Sequence, residues 1–501
     1  MMDLGAALIA QIPFEFRLLD KFRKSYPLVI VGALEVSMPF LRMFALTHIL
    51  SLTEVGFTAV LTAFLSFLEV STDLAVYRFV YSAPKEQFEE ALGAAHALAV
   101  VRGFAVTLLA LCAAPFVAAA LSLGEHWMSF AAIAPLVLLR SFEHMSPRVA
   151  ERDFRYWPQV KLTGISSLVA FVVLIVVAVI KRNHEAIIYS IYAQVITTFF
   201  VSRILSKERY RLNFRTPLFR SAFKFGYPLM FNGLGLSISQ QADRFIVAGL
   251  FDLQTVAVYS VIVLAATVPL NLLNRVLDSM ILARLYHATS APARLNREVR
   301  AASSLVAILA ALYAGGVILL TNPVVTVVFG HRYQASHWAM ILLGVTTFLR
   351  LSRMEPFTGV MLNASRTKRL AVSNILVSST LGYLVLLSFF DRSIGGVLAA
   401  RLLGELTGIV VTFWMAVRSP EGGRFVFSLS TLIGFLFVGV ACLESVAVTW
   451  NGGSVALLLA ACVAYELIVL LWGAIDLRRR VGQLRLVVRP EAKLGTDPLP
   501  S

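Results

Sequence analysis

Along this chain the apolar residues gather into long runs separated by short polar connections, with little of the two-residue alternation of a half-buried strand. Crossing a bilayer as a helix takes about twenty residues. Runs of that length fall at 27–50, 54–81, 91–121, 127–146, 160–181, 184–206, 222–250, 254–287, 299–321, 337–363, 369–390, 393–417, 425–448 and 453–477. Backbone inside hydrocarbon must satisfy its own hydrogen bonds, so each run is predicted to be a helix. The fold class is therefore an all-α polytopic membrane protein of about 14 transmembrane helices. Residues 1–24 contain LGAALIAQI, too short to span, followed by Arg17, Lys21, Arg23 and Lys24. With no small-residue cleavage site after it, this stretch reads as a cytoplasmic interfacial segment and not a signal peptide.

The runs repeat. Sliding the chain against itself by 201 positions lays Tyr26-Pro27-Leu28 on Tyr227-Pro228-Leu229, Gly32 on Gly233, Phe44 on Phe245, Leu52 on Leu253, Val55 on Val256 and Val60 on Val261 without a gap. A helix, a short loop and the next helix fall into register, which is the mark of a two-lobed transporter. The predicted organisation is a six-helix lobe at 25–206, a basic cytoplasmic linker at 207–221, a second six-helix lobe at 222–417, two additional helices at 425–477 and a basic cytoplasmic tail at 478–501. The last two helices have no repeat partner and read as an addition outside the lobes. Pro27, Pro39, Pro228 and Pro269 interrupt spanning helices, as hinges or as static kinks.

Composition agrees: 58% of residues are hydrophobic and 15% charged, against about 45–50% and about 25% in soluble domains. Cys112, Cys442 and Cys462 stand far apart in apolar runs without metal-ligand spacing and are expected to be small core residues. A net charge of +15 could signal nucleic acid in a soluble protein, but its placement decides otherwise. Alternate loops, with both tails, hold 32 Lys and Arg, whereas the opposite set holds Lys181, Arg182, Arg332 and Arg392. That bias puts both termini in the cytoplasm and makes anionic lipid headgroups, not nucleic acid, the partners of the basic loops. No loop has room for a soluble catalytic domain, and there is no phosphate-binding Gly-x-x-x-x-Gly-Lys-Ser/Thr, so neither an enzyme nor a bound cofactor is expected.

The remaining basic residues lie inside the predicted spans, and all are arginine: Arg42, Arg102, Arg140, Arg244, Arg275, Arg350, Arg353 and Arg401. A guanidinium stays charged in any surroundings and can grip a phosphate through two parallel hydrogen bonds. On the eighth span Asn271, Asn274, Arg275 and Asp278 recur at i, i+3, i+4 and i+7, one stripe of a helix whose other faces are Leu and Val. Asp278 could neutralise Arg275 or leave it to face substrate; spacing leaves both open. Thr346, Arg350 and Arg353 repeat the pattern on the tenth span, and Gln240, Gln241, Asp243 and Arg244 interrupt the seventh. Substrate-binding candidates are thus Arg42, Arg244, Arg275, Arg350, Arg353, Asn271, Asn274 and Gln240, around a water-filled cavity lined by helices 1, 2, 7 and 8, with 4 and 10. Arg401 with Glu405 and Arg140 with Glu143 are expected to be ion pairs that hold helices together. Glu69 and Asp73 stand one turn apart on the second span, and two close carboxylates in a partly dry site can share a proton. With Asp278 and Asp243 they are the coupling-ion candidates.

Phe225 to Val261 reads FGYPLMFNGLGLSISQQADRFIVAGLFDLQTVAVYSV. Its Tyr-Pro opening, its Ala242-Asp243-Arg244-Phe245 core and the Thr-Val-Ala-Val-Tyr-Ser-Val at 255–261 resemble the seventh and eighth helices of the polysaccharide flippases, the Wzx-like branch of the multidrug/oligosaccharidyl-lipid/polysaccharide exporter superfamily. Glu151-Arg152-Asp153-Phe154-Arg155-Tyr156, after the fourth span, is similar to a segment common at this place in those exporters. The resemblance spans roughly the first 420 residues. It implies transport of an undecaprenyl-pyrophosphate-linked oligosaccharide for exopolysaccharide, capsule or O-antigen synthesis, the sugar passing through the cavity while the lipid tail stays in the bilayer. A polysaccharide polymerase or co-polymerase is an open partner. The alternatives are a lipid II flippase, which shares the span count, and a multidrug exporter, which is expected to offer acids and aromatics to a cation.

Overall fold

The computed structural model describes residues 14–153, 155–214, 217–288, 292–354, 372, 376–390, 393–417, 429–450, 460, 463–472 and 475. In chain order the helices are α1 (Phe14–Ile49), α2 (Leu52–Ser71), α3 (Val76–Ser82), α4 (Phe88–Ala120), α5 (Trp127–Ile133), α6 (Pro135–Ser141), α7 (Trp157–Lys181), α8 (Glu185–Leu205), α9 (Pro217–Leu250), α10 (Leu253–Ala288), α11 (Pro292–Phe329), α12 (His337–Met354), α13 (Thr380–Ser388), α14 (Ile394–Val417) and α15 (Leu429–Trp450). No strand occurs among the described residues. Eight helices there are long and apolar enough to cross a membrane, and Ile433–Ala447 and Val463–Trp472 are shorter apolar helices. The predicted all-α membrane class is the one found.

Outward faces are apolar. On α4 the alanines 91, 94, 95, 114 and 118 are buried while Phe104, Leu108, Leu109 and Phe116 are exposed, the inverse of a water-facing helix and the pattern of one bathed in hydrocarbon. Cys112 lies on that outward face and not in the core as expected, and Cys442 is half-buried. Cys462 lies outside the described residues.

Two compact units form. The first comprises Met1–Arg275, Val324–Ala335 and Asn374–Gly404. Within it α9 lies directly against the end of α2: a Cβ on Gly233 would stand 2.3 Å from the Val70 carbonyl oxygen, and one on Gly226 2.5 Å from that of Leu74. Small residues at such crossings let membrane helices approach to backbone contact. The second unit comprises Val276–Pro323, Ser336–Ser373 and Glu405–Ser501. There Tyr465 lies over Gly315, where a Cβ would meet its ring, and its hydroxyl donates to the Ala311 carbonyl at 2.6 Å. Phe348 and Phe435 pack edge to face at 4.7 Å between centroids.

Three elements differ from the pattern-based expectation. The charged stretch before residue 25 is continuous with the first span, because α1 runs from Phe14 through Pro27 and Pro39; a proline removes one hydrogen bond and bends a helix without ending it when no turn-forming residue stands beside it. The second span is broken after Ser71. Ala75 is left-handed at φ 46° and its N–H donates to Asp73 Oδ1 at 2.9 Å, so a side chain takes over the hydrogen bonding that a continued helix would supply. The fourth span breaks at Pro135, whose missing N–H leaves carbonyls to be satisfied from elsewhere. Tyr192 donates to the Ala132 carbonyl at 2.6 Å and Thr107 to that of Ala134 at 3.0 Å.

Candidate functional site

The breaks in the second and fourth spans fall where charged side chains gather. Glu69, in the last turn of α2, pairs with Arg140, in the last turn of α6. Arg102 of α4 donates through Nη2 to the Glu69 carbonyl at 2.6 Å and through Nε to Thr72 Oγ1 at 3.0 Å. A cation on the orphan carbonyls of a helix C-terminus satisfies both their hydrogen bonding and the local dipole, so Arg102 makes the break in α2 tolerable inside the membrane.

Two chambers lie along α2, and Glu69 and Arg140 line both. The first, of about 300 Å³, is bounded by α1 at Pro39, Arg42, Met43 and Leu46, by α2 from Thr58 to Glu69, by Arg140, by α8 at Ile187, Ile191 and Gln194, by Arg244 of α9 and by Ser260 and Leu264 of α10. Its charged groups are three arginines and one glutamate. Arg42 Nη2 donates to Gln194 Oε1 at 3.0 Å, while its Nε is buried with no partner among the described residues. Arg244 donates to Gln241 Oε1 at 2.5 Å. The second chamber, of about 390 Å³, is bounded by Glu69, Asp73, Arg78, Arg102, Arg140, Glu143 and Arg148 together with Tyr77, Met145, Leu229 and Gly233. The Arg148 guanidinium sits 4.1 Å over the Tyr77 ring and Arg78 Nε donates to the Tyr77 hydroxyl at 3.1 Å. Among the groups lining the first chamber cations outnumber acids three to one, and the net field of such a set favours an anion.

The sequence-derived candidates distribute unevenly over this geometry. Arg42 and Arg244 line the first chamber; Glu69 lines both and Asp73 the second. Gln240 is exposed on α9, Asn271 is exposed and Asn274 half-buried on α10. Arg350 is half-buried on α12 in the second unit. The side chains of Arg275 and Asp278 lie outside the described residues.

Asp243 and Arg353 belong to buried pairs. Asp243 accepts from Arg401 Nη1 at 2.9 Å and from the Tyr259 hydroxyl at 2.5 Å, and Arg401 also reaches that hydroxyl at 3.1 Å. Arg353 Nε donates to Glu405 Oε2 at 3.1 Å, both side chains being buried. The expected local pair of Arg401 and Glu405 is thereby corrected, since Arg401 takes Asp243 and Glu405 takes Arg353; Arg140 takes Glu69 as its direct partner and keeps Glu143 on the same chamber wall. In a low-dielectric interior each charge is held best by a counter-ion presented from a facing helix, where it is shielded on all sides, and such partners lie far away in sequence. Arg102, Arg140 and Gln194, absent from the sequence-derived site, line the chambers; the two arginines within the spans are visible signals, but Gln194, an uncharged residue on a helix that also carries Ser and Thr, is not.

The profile of the polysaccharide biosynthesis protein family matches residues 45–337, which takes in the second chamber, the Ala-Asp-Arg-Phe stretch and the first chamber except for Pro39, Arg42 and Met43. The chain belongs to that family. The polysaccharide branch of the resemblance read from the sequence is borne out by that match. In fold, this polysaccharide biosynthesis protein is similar to the lipid II flippase MurJ in an inward closed conformation, with a TM-score of 0.67 at 13% identity over 92% of this chain and 100% of that one. It is also similar to a multidrug resistance MATE family transporter of the MOP superfamily in an inward-facing conformation, at TM-score 0.52 and 13% identity over 83% of this chain and 95% of the other. A MATE protein in the bent conformation matches at TM-score 0.50 and 12% identity over 85% and 96%. No sequence among curated proteins matches.

Proposed function

We propose that this polysaccharide biosynthesis protein is a flippase that moves an undecaprenyl-pyrophosphate-linked oligosaccharide from the cytoplasmic to the outer leaflet by alternating access. The observation that carries the reading is the first chamber, in which Arg42, Arg140 and Arg244 face one acid inside membrane-spanning helices. A diphosphate offers several acceptor oxygens in the geometry a guanidinium fork matches, and a cationic drug would meet net repulsion there. Asn271, Asn274, Gln240, Arg275 and Arg350 are proposed to serve the sugar and the rest of the path. Of the coupling candidates, Asp243 and Glu69 have guanidinium partners and Asp73 a backbone N–H, which supports fixed charge at these three positions; Asp278 is left as the proposed proton carrier. Anionic lipids at the basic loops and a polymerase partner belong to the same reading.

The test is transport by the purified protein in proteoliposomes. Lipid-linked diphosphate oligosaccharide should change leaflet faster than in protein-free vesicles, and a lipophilic cation should not be moved. Cation transport with no effect on the lipid diphosphate would overturn the proposal in favour of a multidrug exporter. The fold likeness to MurJ favours lipid II as a second substrate to be placed in the same assay. Preference for lipid II over polysaccharide precursors would shift the reading to peptidoglycan synthesis.

The orientation has its own check. With 32 Lys and Arg in one set of loops and tails and four in the other, reporters fused after residues 215 and 480 should lie in the cytoplasm and those after 250 and 392 outside. A cytoplasmic reporter after 250 contradicts that orientation.

A further inference from the structure

Glu69 and Arg140 form the wall shared by the two chambers. Among the described residues Arg140 is the one guanidinium that lines both, and the chain itself has placed a carboxylate on it. Only one oxygen of that carboxylate, Oε2, is engaged; Oε1 is buried with no hydrogen-bond partner among the described residues. A buried carboxylate oxygen without a donor is costly, so the pair is held by less than the full bonding capacity of its acid. On the other side of the wall Arg102 already touches the Glu69 main chain through its carbonyl, at 2.6 Å. Two guanidinium groups therefore contact Glu69, Arg140 at the carboxylate and Arg102, which lines the second chamber, at the main-chain carbonyl.

We propose that Glu69 is the resident counter-anion of Arg140, which the phosphoryl head of the substrate displaces, and that the freed carboxylate moves to Arg102. This rests on the reading of the first chamber as an anion site and assigns it a specificity device. A carboxylate on Arg140 closes the wall between the chambers and neutralises one of the three arginines while no substrate is bound. A diphosphate carries more charge and more acceptor oxygens than a carboxylate and takes the guanidinium from it; a neutral or cationic solute does not. The substrate's own charge thus opens the wall, and return of Glu69 to Arg140 favours release. Arg102 keeps the displaced acid paired, so no uncompensated charge is left in the membrane.

The test is binding of inorganic pyrophosphate to the full-length protein in detergent, by titration calorimetry. Removing the internal competitor with E69Q should tighten binding by about fivefold to tenfold, because a charge-assisted pair no longer has to be broken. R140A should weaken binding, and in the R140A background E69Q should bring no gain, since there is no guanidinium left to compete for. R102A should weaken binding with Glu69 in place and have little effect with E69Q. A shorter acid, E69D, reaches Arg140 less well and should tighten binding less than E69Q does, which keeps the test available if E69Q fails to insert. Weaker or unchanged binding by E69Q, with R42A still lowering affinity, would overturn the exchange while leaving the anion site standing. If neither the unmodified protein nor any variant binds pyrophosphate, the reading of the chamber fails and the exchange with it.

Discussion

Replacing Arg42 or Arg244 by alanine is expected to abolish transport of the lipid diphosphate while the protein still inserts and folds. Both side chains line the first chamber, and neither makes a salt bridge among the described residues: Arg42 is held by Gln194 and Arg244 by Gln241, both neutral. Truncation therefore strands no buried acid, and the loss should appear in function and not in stability. A hydrogen bond to a charged group contributes about 1.5–3 kcal/mol, so losing a two-bond grip on a phosphate should lower affinity by at least about a hundredfold. Lysine keeps the charge but not the planar fork, and should recover part of the activity. The check is the proteoliposome rate beside the elution profile of each variant in detergent. Normal transport by both alanine variants would remove these arginines from the binding site.

The opposite balance is expected at Asp243. Its carboxylate accepts from Arg401 and Tyr259 with all three side chains buried, and α9, α10 and α14 each supply one member. Substituting Asp243→Asn removes the charge that Arg401 faces, and breaking one partner of a buried pair costs about 3–5 kcal/mol. The variant should melt well below the unmodified protein or fail to accumulate, whether or not substrate is present. Tyr259→Phe removes one hydroxyl and should cost about 1 kcal/mol, since the Arg401–Asp243 contact survives it. Thermal unfolding in detergent, followed by the loss of monodisperse protein, measures both. An Asp243→Asn variant as stable as the parent, but inactive, would transfer Asp243 from the framework to the transport path.

These two predictions diverge for neighbours in sequence. Asp243 and Arg244 adjoin in the Ala-Asp-Arg-Phe stretch and the pattern presents them as one charged interruption of an apolar helix. Adjacent helix residues point about 100° apart, so one faces α14 and the other a chamber. The chain's own order could say that they do not share a face, but not which face is which.

What the sequence determined by itself was whatever hydrocarbon demands locally. Apolar runs of spanning length, helices in all of them, the Lys and Arg bias of the loops and the arginines set within the spans follow from the cost of backbone and charge in lipid, and that cost is paid residue by residue. The Tyr-Pro and Ala-Asp-Arg-Phe motifs were legible in the same way, enough to place the chain in its family. Two local breaks were not read, although Asp73 and Pro135 stood there, because a side chain can take a backbone hydrogen bond only if distant groups such as Arg102, Thr107 and Tyr192 complete the others. The choice of counter-ion was decided by the tertiary structure alone. Arg401 finds Asp243 across 158 positions, Arg140 finds Glu69 across 71 and Arg353 finds Glu405 across 52. A charge buried in a medium of low dielectric is stabilised by whichever opposite charge the packing of helices brings within hydrogen-bond reach, and that distance is set by the fold and leaves no trace in the spacing along the chain.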